Sequence, residues 1–313
     1  MCDETFLGRR GIRPLSSINV LVPGLRMTFD LPGVPYAEPC FANSARRDQK
    51  KEVENKQSHK VISEATPLLG DDKPRKEYRK DSWKKGLVGV VYEVTASDYA
   101  RIIATEGGGS SYNDVLIDCH ALSADQSEEV PWVPESSAFK AHTLFAPGSD
   151  YDEDPPKDGG RIRRPDPSYA QPSARYLKLI TDGAKERKLP DEYQDYLDNL
   201  QPYTMTTQKQ RLGAWIFHST WMPFIVFIFA IATKFSDEKG FSPPWVTMLK
   251  NFVFKAVWAS YDGFFKGLFG DGERTCETGD PDGEEPLPDL RVNNEKDSME
   301  IEEIEEETAR GAV

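Results

Sequence analysis

Cysteine is scarce in this sequence, and the few cysteines form no ligand pattern. The four residues are far apart and include no Cys-x-x-Cys pair: Cys2, Cys40, Cys119 and Cys276. Such usage is typical of proteins in a reducing compartment. It also argues against a zinc site, because structural zinc sites bring cysteine and histidine together at short spacings.

Basic residues are also fewer than acidic residues. The 313 residues include 39 Lys and Arg against 52 Asp and Glu, which gives a formal net charge of -13. Residues 271–313 contain sixteen acidic and four basic residues, so this segment alone carries -12 and the rest of the chain is close to neutral. Because no strongly basic domain is present, the sequence argues against a nucleic-acid-binding protein.

Apolar residues make up 38% of the chain, below the usual globular content, so part of the chain is not expected to build a core. Residues 1–203 mix short β-rich runs with one good helix, which predicts an α/β (α+β) domain. Within it, 45–85 has mixed charge and is interpreted as a flexible insertion, with contact to an acidic lipid surface as the alternative. The acidic residues 271–313 predict a disordered tail that solvates the protein or contacts an unknown partner.

Charge is absent altogether from residues 212–233, LGAWIFHSTWMPFIVFIFAIAT. A helix of that length is about 33 Å long, which matches the hydrocarbon core of a bilayer. His218 can stay neutral, Pro223 is tolerated in membrane helices, and Trp215 and Trp221 lie toward one end as in an aromatic belt. The segment therefore predicts a transmembrane helix; the alternative is a buried core helix of a soluble domain.

Residues 243–270 are rich in aromatic side chains but not free of charge. The charged residues are not confined to one helical face: Lys250, Lys255, Asp262 and Lys266. This mixture of Trp, Phe and Lys favours a helix lying at the membrane interface. A second membrane span and a helix packed against the soluble domain are the alternatives.

Residues 105–112 read TEGGGSSY, a single carboxylate followed by three glycines. Glycine clusters mark turns, so a hairpin turn with a solvated Glu106 is one interpretation. The flanking sequence favours another. Residues 87–94 are apolar and β-branched, as in a buried strand, and VLIDCHAL (115–122) predicts the next strand.

A short helix is predicted between these two strands. Thr95 or Ser97 can cap its start. Its apolar face carries Tyr99, Ile102 and Ile103. Glu106 would lie at its C-terminal end, where the partial negative charge of the helix raises the pKa of a carboxyl group. A carboxylate held between two core strands, beside backbone without side chains, suits a buried acid/base.

Two blocks of the sequence resemble the γ-glutamylcyclotransferase family. GVVYEV…IIATEGGGSSY resembles the strand and helix that end in the family's catalytic glutamate. PSARYLKLITDGAKERKLPDEYQDYLDNLQPY (172–203) resembles its Pro-Ser-x-x-Tyr block and the helical pair that follows. The opening 1–43 is similar to the filamentous-fungal branch. The resemblance implies a small mixed α/β barrel-like fold with flanking helices; it does not extend to the membrane segment or the acidic tail.

The reaction that the resemblance implies is intramolecular. The α-amine of a γ-glutamyl group attacks its own γ-carbonyl, closes 5-oxoproline and expels an amine; with glutathione the leaving group is cysteinylglycine. One carboxylate can take the proton from the ammonium and return it to the leaving nitrogen. The tetrahedral oxyanion needs preorganised donors, ordinarily backbone N–H groups. No metal or organic cofactor is required.

The resemblance also assigns candidate site residues. Glu106 matches the catalytic carboxylate. Gly107, Tyr112 at the far end of the loop, and Tyr176 of the Pro-Ser block are the candidates for contacts with a small γ-glutamyl substrate. For each tyrosine, a half-buried structural position is the alternative.

The family's Tyr-Gly-Ser-Asn motif, on its first strand, does not occur in this sequence, and the resemblance places it just before Met1. We therefore expect a start upstream of Met1; the alternative is an inactive, membrane-tethered protein that binds γ-glutamyl compounds or a partner. An enzyme that removes γ-glutamyl groups from glutathione-conjugated metabolites is a further alternative. Because glutathione and reduced cysteines belong to the cytosol, we expect a single-pass membrane protein whose catalytic domain faces the cytosol.

Overall fold

The structure, a computed structural model, describes residues 7–8, 11–47, 80, 82–105, 113–146, 164–166, 168–235 and 242–275. In chain order its elements are β1 Ser16–Val22, β2 Leu25–Val34, β3 Glu38–Arg46, β4 Leu87–Glu93, α1 Ala96–Thr105, β5 Asn113–Ala121, β6 Ala138–Phe145, α2 Ala174–Glu186, α3 Asp191–Asp198, α4 Gln208–Lys234 and α5 Pro244–Ser260. A π-helical turn, Tyr261–Phe265, and the short helix α6, Lys266–Phe269, follow directly.

The described strands form two antiparallel sheets. The larger sheet has the order β4-β1-β5-β6, and β2 pairs with β3 in the smaller one. Strand β1 pairs with β4 along its whole length but meets β5 only at Val20 and Leu21. The predicted mixed α/β class is therefore confirmed.

Strand β5 begins two residues earlier than the sequence predicted. Its first residues, Asn113 and Asp114, pair with Phe145 and Leu144 of β6. This pairing adds two polar residues, Asn113 and Asp114, to the start of the strand predicted from residue 115. The predicted strand 87–94 agrees with β4 to within one residue.

One core lies between the sheets and the helical pair α2–α3. It contains buried side chains from strands and helices alike: Leu21, Phe29, Cys40, Val88, Leu177, Ala184, Tyr193 and Leu197. Burial of such side chains contributes about 1.5–3 kcal/mol each. The core thus holds the Pro-Ser-x-x-Tyr block against β2 and β3.

The end of the predicted charged insertion is part of this core, which corrects its boundary at residue 85. The Trp83 ring packs edge-on against Tyr193, with ring centroids 4.9 Å apart. The Lys85 ammonium lies 2.6 Å from a carboxylate oxygen of Glu192, with 8% of the Lys85 side chain exposed. Residues 48–79 of the insertion lie outside the described residues.

The charge-free segment 212–233 lies within α4, which is 27 residues long and contains Pro223. Within the part of the chain that the structure describes, 208–232 forms one helix long and apolar enough, by length and composition, to cross a membrane. Helix α5 packs along α4, and their buried side chains form a second core with Tyr36 of the domain.

The start of the predicted acidic tail requires a correction. Asp271 and Glu273 are buried, with 7% and 2% of their surface exposed. The Tyr36 N–H donates to the Gly272 carbonyl at 2.8 Å, and the Gln171 N–H donates to the Glu273 carbonyl at 2.8 Å. Residues 271–275 therefore belong to the folded domain, and residues 276–313 lie outside the described residues.

Candidate functional site

The loop that carries the predicted catalytic carboxylate lies between two described elements. Helix α1 ends at Thr105, one residue before Glu106, and β5 begins at Asn113, one residue after Tyr112. Glu106, Gly107 and Tyr112 themselves lie outside the described residues. The predicted roles of these three residues stay predictions, while both attachment points of the loop are defined.

The sequence correctly identified the start of α1. The Thr95 hydroxyl accepts a hydrogen bond from the Asp98 N–H at 3.1 Å and donates to the Asp98 carboxylate at 2.9 Å. This reciprocal cap satisfies an N–H that the helix leaves unpaired at its first turn. Tyr99, Ile102 and Ile103 are half-buried, as the predicted apolar face requires.

A cluster of three polar side chains joins α1 to the two strands beside the Glu106 loop. The Tyr99 hydroxyl donates to Asp114 Oδ2 at 2.6 Å, and His142 Nδ1 lies 2.8 Å from Asp114 Oδ1. The Tyr99 and His142 rings pack at a centroid distance of 5.2 Å. The cluster fixes α1, and hence the start of the loop, against β5 and β6.

The carboxylate of Asp114 also affects the acidity of Tyr99. Burial, then the hydrogen bond to Asp114 and its negative charge, raise the pKa of the Tyr99 hydroxyl above its ordinary value. Tyr99 therefore keeps its proton at neutral pH and acts as a hydrogen-bond donor. The sequence pattern did not identify Asp114 and His142 as members of this cluster. The polar pair Asn113–Asp114, directly after the loop, was the feature that could have indicated it.

The predicted Tyr176 lies at the start of α2, where Ser173 is the N-cap residue. The Ser173 hydroxyl accepts a hydrogen bond from the Tyr176 N–H at 3.0 Å. The Tyr176 hydroxyl accepts one from the Ala42 N–H at 3.2 Å, and its ring packs edge-on against Phe41 at 5.2 Å. The structure thus places Tyr176 against β3.

A buried carboxylate that the sequence did not reveal supports the same block. Glu38, at the start of β3, accepts hydrogen bonds from the Ser173 N–H at 2.9 Å and from the Ser173 hydroxyl. The Arg175 guanidinium lies 3.8 Å from it. A carboxylate at a helix N-terminus is stabilised by the unpaired N–H groups there.

Burial has the larger effect on Glu38. It raises the pKa of the carboxyl group, and the Ser173 hydrogen bonds and the Arg175 charge oppose that rise only in part. The direction follows from desolvation, because a carboxylate loses more hydration than a carboxylic acid does. The carboxyl group of Glu38 thus holds its proton more tightly than an exposed glutamic acid does.

Lys80 is the buried cation of this region. Its ammonium donates hydrogen bonds to the carbonyl oxygens of Phe29, at 3.1 Å, and Ala170. Desolvation lowers the pKa of Lys80, and the negative groups around it oppose that shift. These contacts connect β2 to the segment before α2, which suits a structural role.

The described residues contain no group of three or more His, Cys, Asp and Glu side chains placed to hold a metal ion. Cys40 and Cys119 are buried free thiols. The arrangement thus consists of a mixed α/β domain, a loop anchored at both ends by α1 and β5, and an apolar helical pair that follows.

Comparison with known proteins shows that the chain is similar to a group of fungal proteins. Residues 207–268, which include α4 and α5, match the family model described as AclK C-terminal domain. The chain is 26% identical over 270 residues to the gamma-glutamyl cyclotransferase gliK of Aspergillus fumigatus, covering 86% of this chain and 85% of that protein. It is 25% identical over 279 residues to the gamma-glutamyl cyclotransferase aclK of Aspergillus oryzae, covering 87% and 86%.

A third relative aligns over nearly its whole length. The gamma-glutamyl cyclotransferase gliK of Claviceps purpurea is 24% identical over 274 residues, covering 87% of this chain and 99% of the relative. These alignments include both the α/β domain and the helical pair. The resemblance seen in the sequence is confirmed: the chain is a homologue of fungal γ-glutamyl cyclotransferases.

Proposed function

We propose that the protein is a γ-glutamyl cyclotransferase that converts γ-glutamyl compounds to 5-oxoproline, with Glu106 as the general acid/base. The observation that carries the proposal is the alignment with proteins of that name over 86–87% of the chain. The position of Glu106, one residue after α1, supports it, because the strand and helix before Glu106 resemble those that end in the family's catalytic glutamate. A γ-glutamylcyclotransferase-like arrangement of the strands and flanking helices is part of the same proposal.

The proposed reaction removes two protons from the attacking nitrogen. Glu106 takes the first proton from the substrate ammonium, and the free amine attacks the γ-carbonyl carbon. As the C–N bond to the leaving group breaks, Glu106 returns this proton to the departing nitrogen; the ring nitrogen then gives up its second proton, which the released amine takes up to leave as an ammonium. Atoms balance without water: glutathione would give 5-oxoproline and cysteinylglycine.

The place of Glu106 in the chain, directly after the carboxyl end of α1, supports its proposed role in proton exchange. The carboxyl end of α1 carries partial negative charge, which disfavours the carboxylate and raises the pKa of a carboxyl group placed there. The Tyr99–Asp114–His142 cluster holds the first turn of α1 against β5 and β6. Such anchoring keeps an acid/base within hydrogen-bond reach of its substrate.

Three further residues are proposed to contact the substrate. Gly107 offers backbone N–H without a side chain to obstruct close approach. Tyr112 and Tyr176 supply hydroxyls for the substrate's carboxylate or amine. The Glu38–Ser173 contact supports Tyr176 by fixing the first turn of α2. No metal or cofactor enters the proposed reaction.

The test compares full-length wild type with Glu106→Gln by following 5-oxoproline release. Glutathione, γ-glutamyl amino acids and S-substituted glutathione are offered in parallel, which separates general turnover from processing of conjugates. The amide keeps the shape of Glu106 but cannot take up the proton, so we expect at least about a hundredfold loss of rate. Glu135→Gln, at an exposed glutamate, is the matched control and should keep full activity.

Two outcomes would count against the proposal. If Glu106→Gln kept more than a tenth of the wild-type rate, another group would be the acid/base. If wild type bound γ-glutamyl compounds in calorimetry but released no 5-oxoproline from any of them, the binding-protein alternative would replace the enzyme.

A further inference from the structure

The two long C-terminal helices expose an unusually apolar surface. Large side chains on α4 and α5 are more than half exposed, including Trp215 at 69%, Phe227 at 62%, Met248 at 70% and Phe252 at 69%. In the apolar stretch of α4, only 22% of the residues are buried. A core helix of a soluble domain would be mostly buried. Packing against the rest of the protein therefore does not explain why these two helices are so apolar.

Helices α4 and α5 pack antiparallel to each other and are together called the apolar hairpin (208–234 and 244–260). Trp221, at the middle of α4, donates a hydrogen bond through Nε1 to Ser260 at the end of α5, at 2.9 Å. Phe235, just after α4, packs against Trp245 at the start of α5, with ring centroids 5.2 Å apart. The second helix therefore runs back along the first.

Two hydroxyl groups of the hairpin are paired with its own backbone. Thr220 donates to the Ile216 carbonyl at 2.8 Å, and Ser260 donates to the Val257 carbonyl at 2.8 Å. Internal pairing of this kind is what a hydrocarbon environment requires, because no water is present there to satisfy polar groups.

Both ends of the hairpin are attached to the same face of the α/β domain. Gln210, in the first turn of α4, donates through Nε2 to the Asp271 carbonyl at 2.8 Å. Tyr36, from the turn between β2 and β3, donates through its hydroxyl to the Gly270 carbonyl at 2.8 Å. Phe217 of α4 and Tyr261 after α5 pack on the Tyr36 ring. The chain thus enters and leaves the hairpin at one place.

Basic side chains surround this attached end. Lys209 and Arg211 are exposed in the first turn of α4, and Lys255 is exposed near the end of α5. Their charge complements the anionic headgroups of a bilayer, and their aliphatic stems can lie along apolar surface while the charge reaches water. An apolar surface bordered by cations fits a lipid bilayer better than a second copy of this chain, whose hairpin would carry the same positive border.

We propose that the apolar hairpin inserts into a lipid bilayer from one side, so that the α/β domain and the residues after 275 lie on the same side of the membrane. This differs from the single-pass topology expected from the sequence, which would place the domain and the acidic tail on opposite sides. The proposal does not depend on the catalytic activity.

The test uses the full chain with one epitope tag at each end, synthesised in the presence of sealed microsomes. The protein should pellet with the microsomes and resist extraction at high pH. Protease added outside should then treat the two tags alike. Loss of one tag with protection of the other would establish a single pass and overturn the proposal, as would a protein that stays in the supernatant.

A paired variant tests the surface itself. Phe227→Asp/Met248→Asp places two charges on exposed positions of the hairpin and should lower the bound fraction on phosphatidylcholine–phosphatidylserine vesicles at least about tenfold. Val133→Asp, at a position 74% exposed in the α/β domain, is the matched control and should bind like wild type. Equal binding by all three proteins would overturn the proposal. So would a wild type that forms soluble dimers which the double variant converts to monomers.

Discussion

Replacement of Asp271 by alanine should be strongly destabilising, although the sequence assigns this residue to an acidic tail. Asp271 Oδ1 accepts hydrogen bonds from the Glu273 N–H at 2.7 Å, the Arg274 N–H at 3.1 Å and the Tyr261 hydroxyl at 3.2 Å. Its second oxygen accepts the Tyr169 hydroxyl and lies 3.2 Å from the Lys266 ammonium. The two N–H groups and the two tyrosine hydroxyls lose this acceptor together, while the Lys266 ammonium keeps Glu273 Oε2 at 3.4 Å.

The magnitude follows from burial. Leaving a buried hydrogen-bond donor unpaired costs about 1–3 kcal/mol, and several donors lose Asp271 at once, so the total should be about 3–5 kcal/mol. A typical domain is stable by only about 5–15 kcal/mol, so the variant should lose a large part of its stability. Asp271→Asn keeps an acceptor for the two N–H groups and should cost less, about 1–2 kcal/mol.

Urea unfolding of the full chain in detergent, followed by far-UV circular dichroism, measures this loss. Asp118→Ala is the matched control, since Asp118 pairs with Lys140 while 57% of its side chain is exposed. An exposed pair contributes about 0–1 kcal/mol, so the control should unfold nearly as wild type does. If Asp271→Ala were no less stable than Asp118→Ala, residues 271–275 would not be part of the folded unit.

Two more substitutions test the surroundings of the site. Tyr99→Phe removes the donor to Asp114 and should cost about 1–2 kcal/mol in unfolding and lower the rate of 5-oxoproline release; an unchanged rate and stability would show that the cluster does not anchor α1. Because burial raises the pKa of Glu38 in the folded state, the stability linked to its proton is present below the ordinary value of 4.5 and is lost as pH rises through the folded-state pKa. Stability measured from acid to neutral pH should therefore decline less in Glu38→Gln than in wild type, and parallel curves would contradict this assignment.

Local signals were sufficient for the elements around the Glu106 loop. The β-branched run of β4, the Thr95 cap and the half-buried face of α1 depend on neighbours within a few residues, and each agrees with the structure. The contact between Asp114 and His142 depends instead on the register of β5 with β6, in which Leu116 faces His142. A 16-residue connection separates these strands, so no short turn revealed that register in advance.

The acidic composition of the C-terminal residues led to a wrong prediction for those that are buried. Residues 271–275 look like the start of a solvated acidic tail, yet the nearby Tyr261 and three tyrosines from distant parts of the chain bind them: Tyr36, Tyr169 and Tyr203. Glu38 was missed for the same reason, because its partner Ser173 is 135 positions away in the sequence. A sequence pattern predicts that a carboxylate is exposed unless a partner is evident nearby in the sequence. Partners more than a hundred residues away are not evident from such a pattern.

The most direct test of the proposed chemistry is to follow the fate of oxygen when the full chain acts on glutathione in water labelled with heavy oxygen. Intramolecular cyclisation uses no water, so mass spectrometry should show unlabelled 5-oxoproline and cysteinylglycine in equal amounts. Glutamate that carries the label would instead show hydrolysis of the γ-glutamyl bond, and would contradict the account.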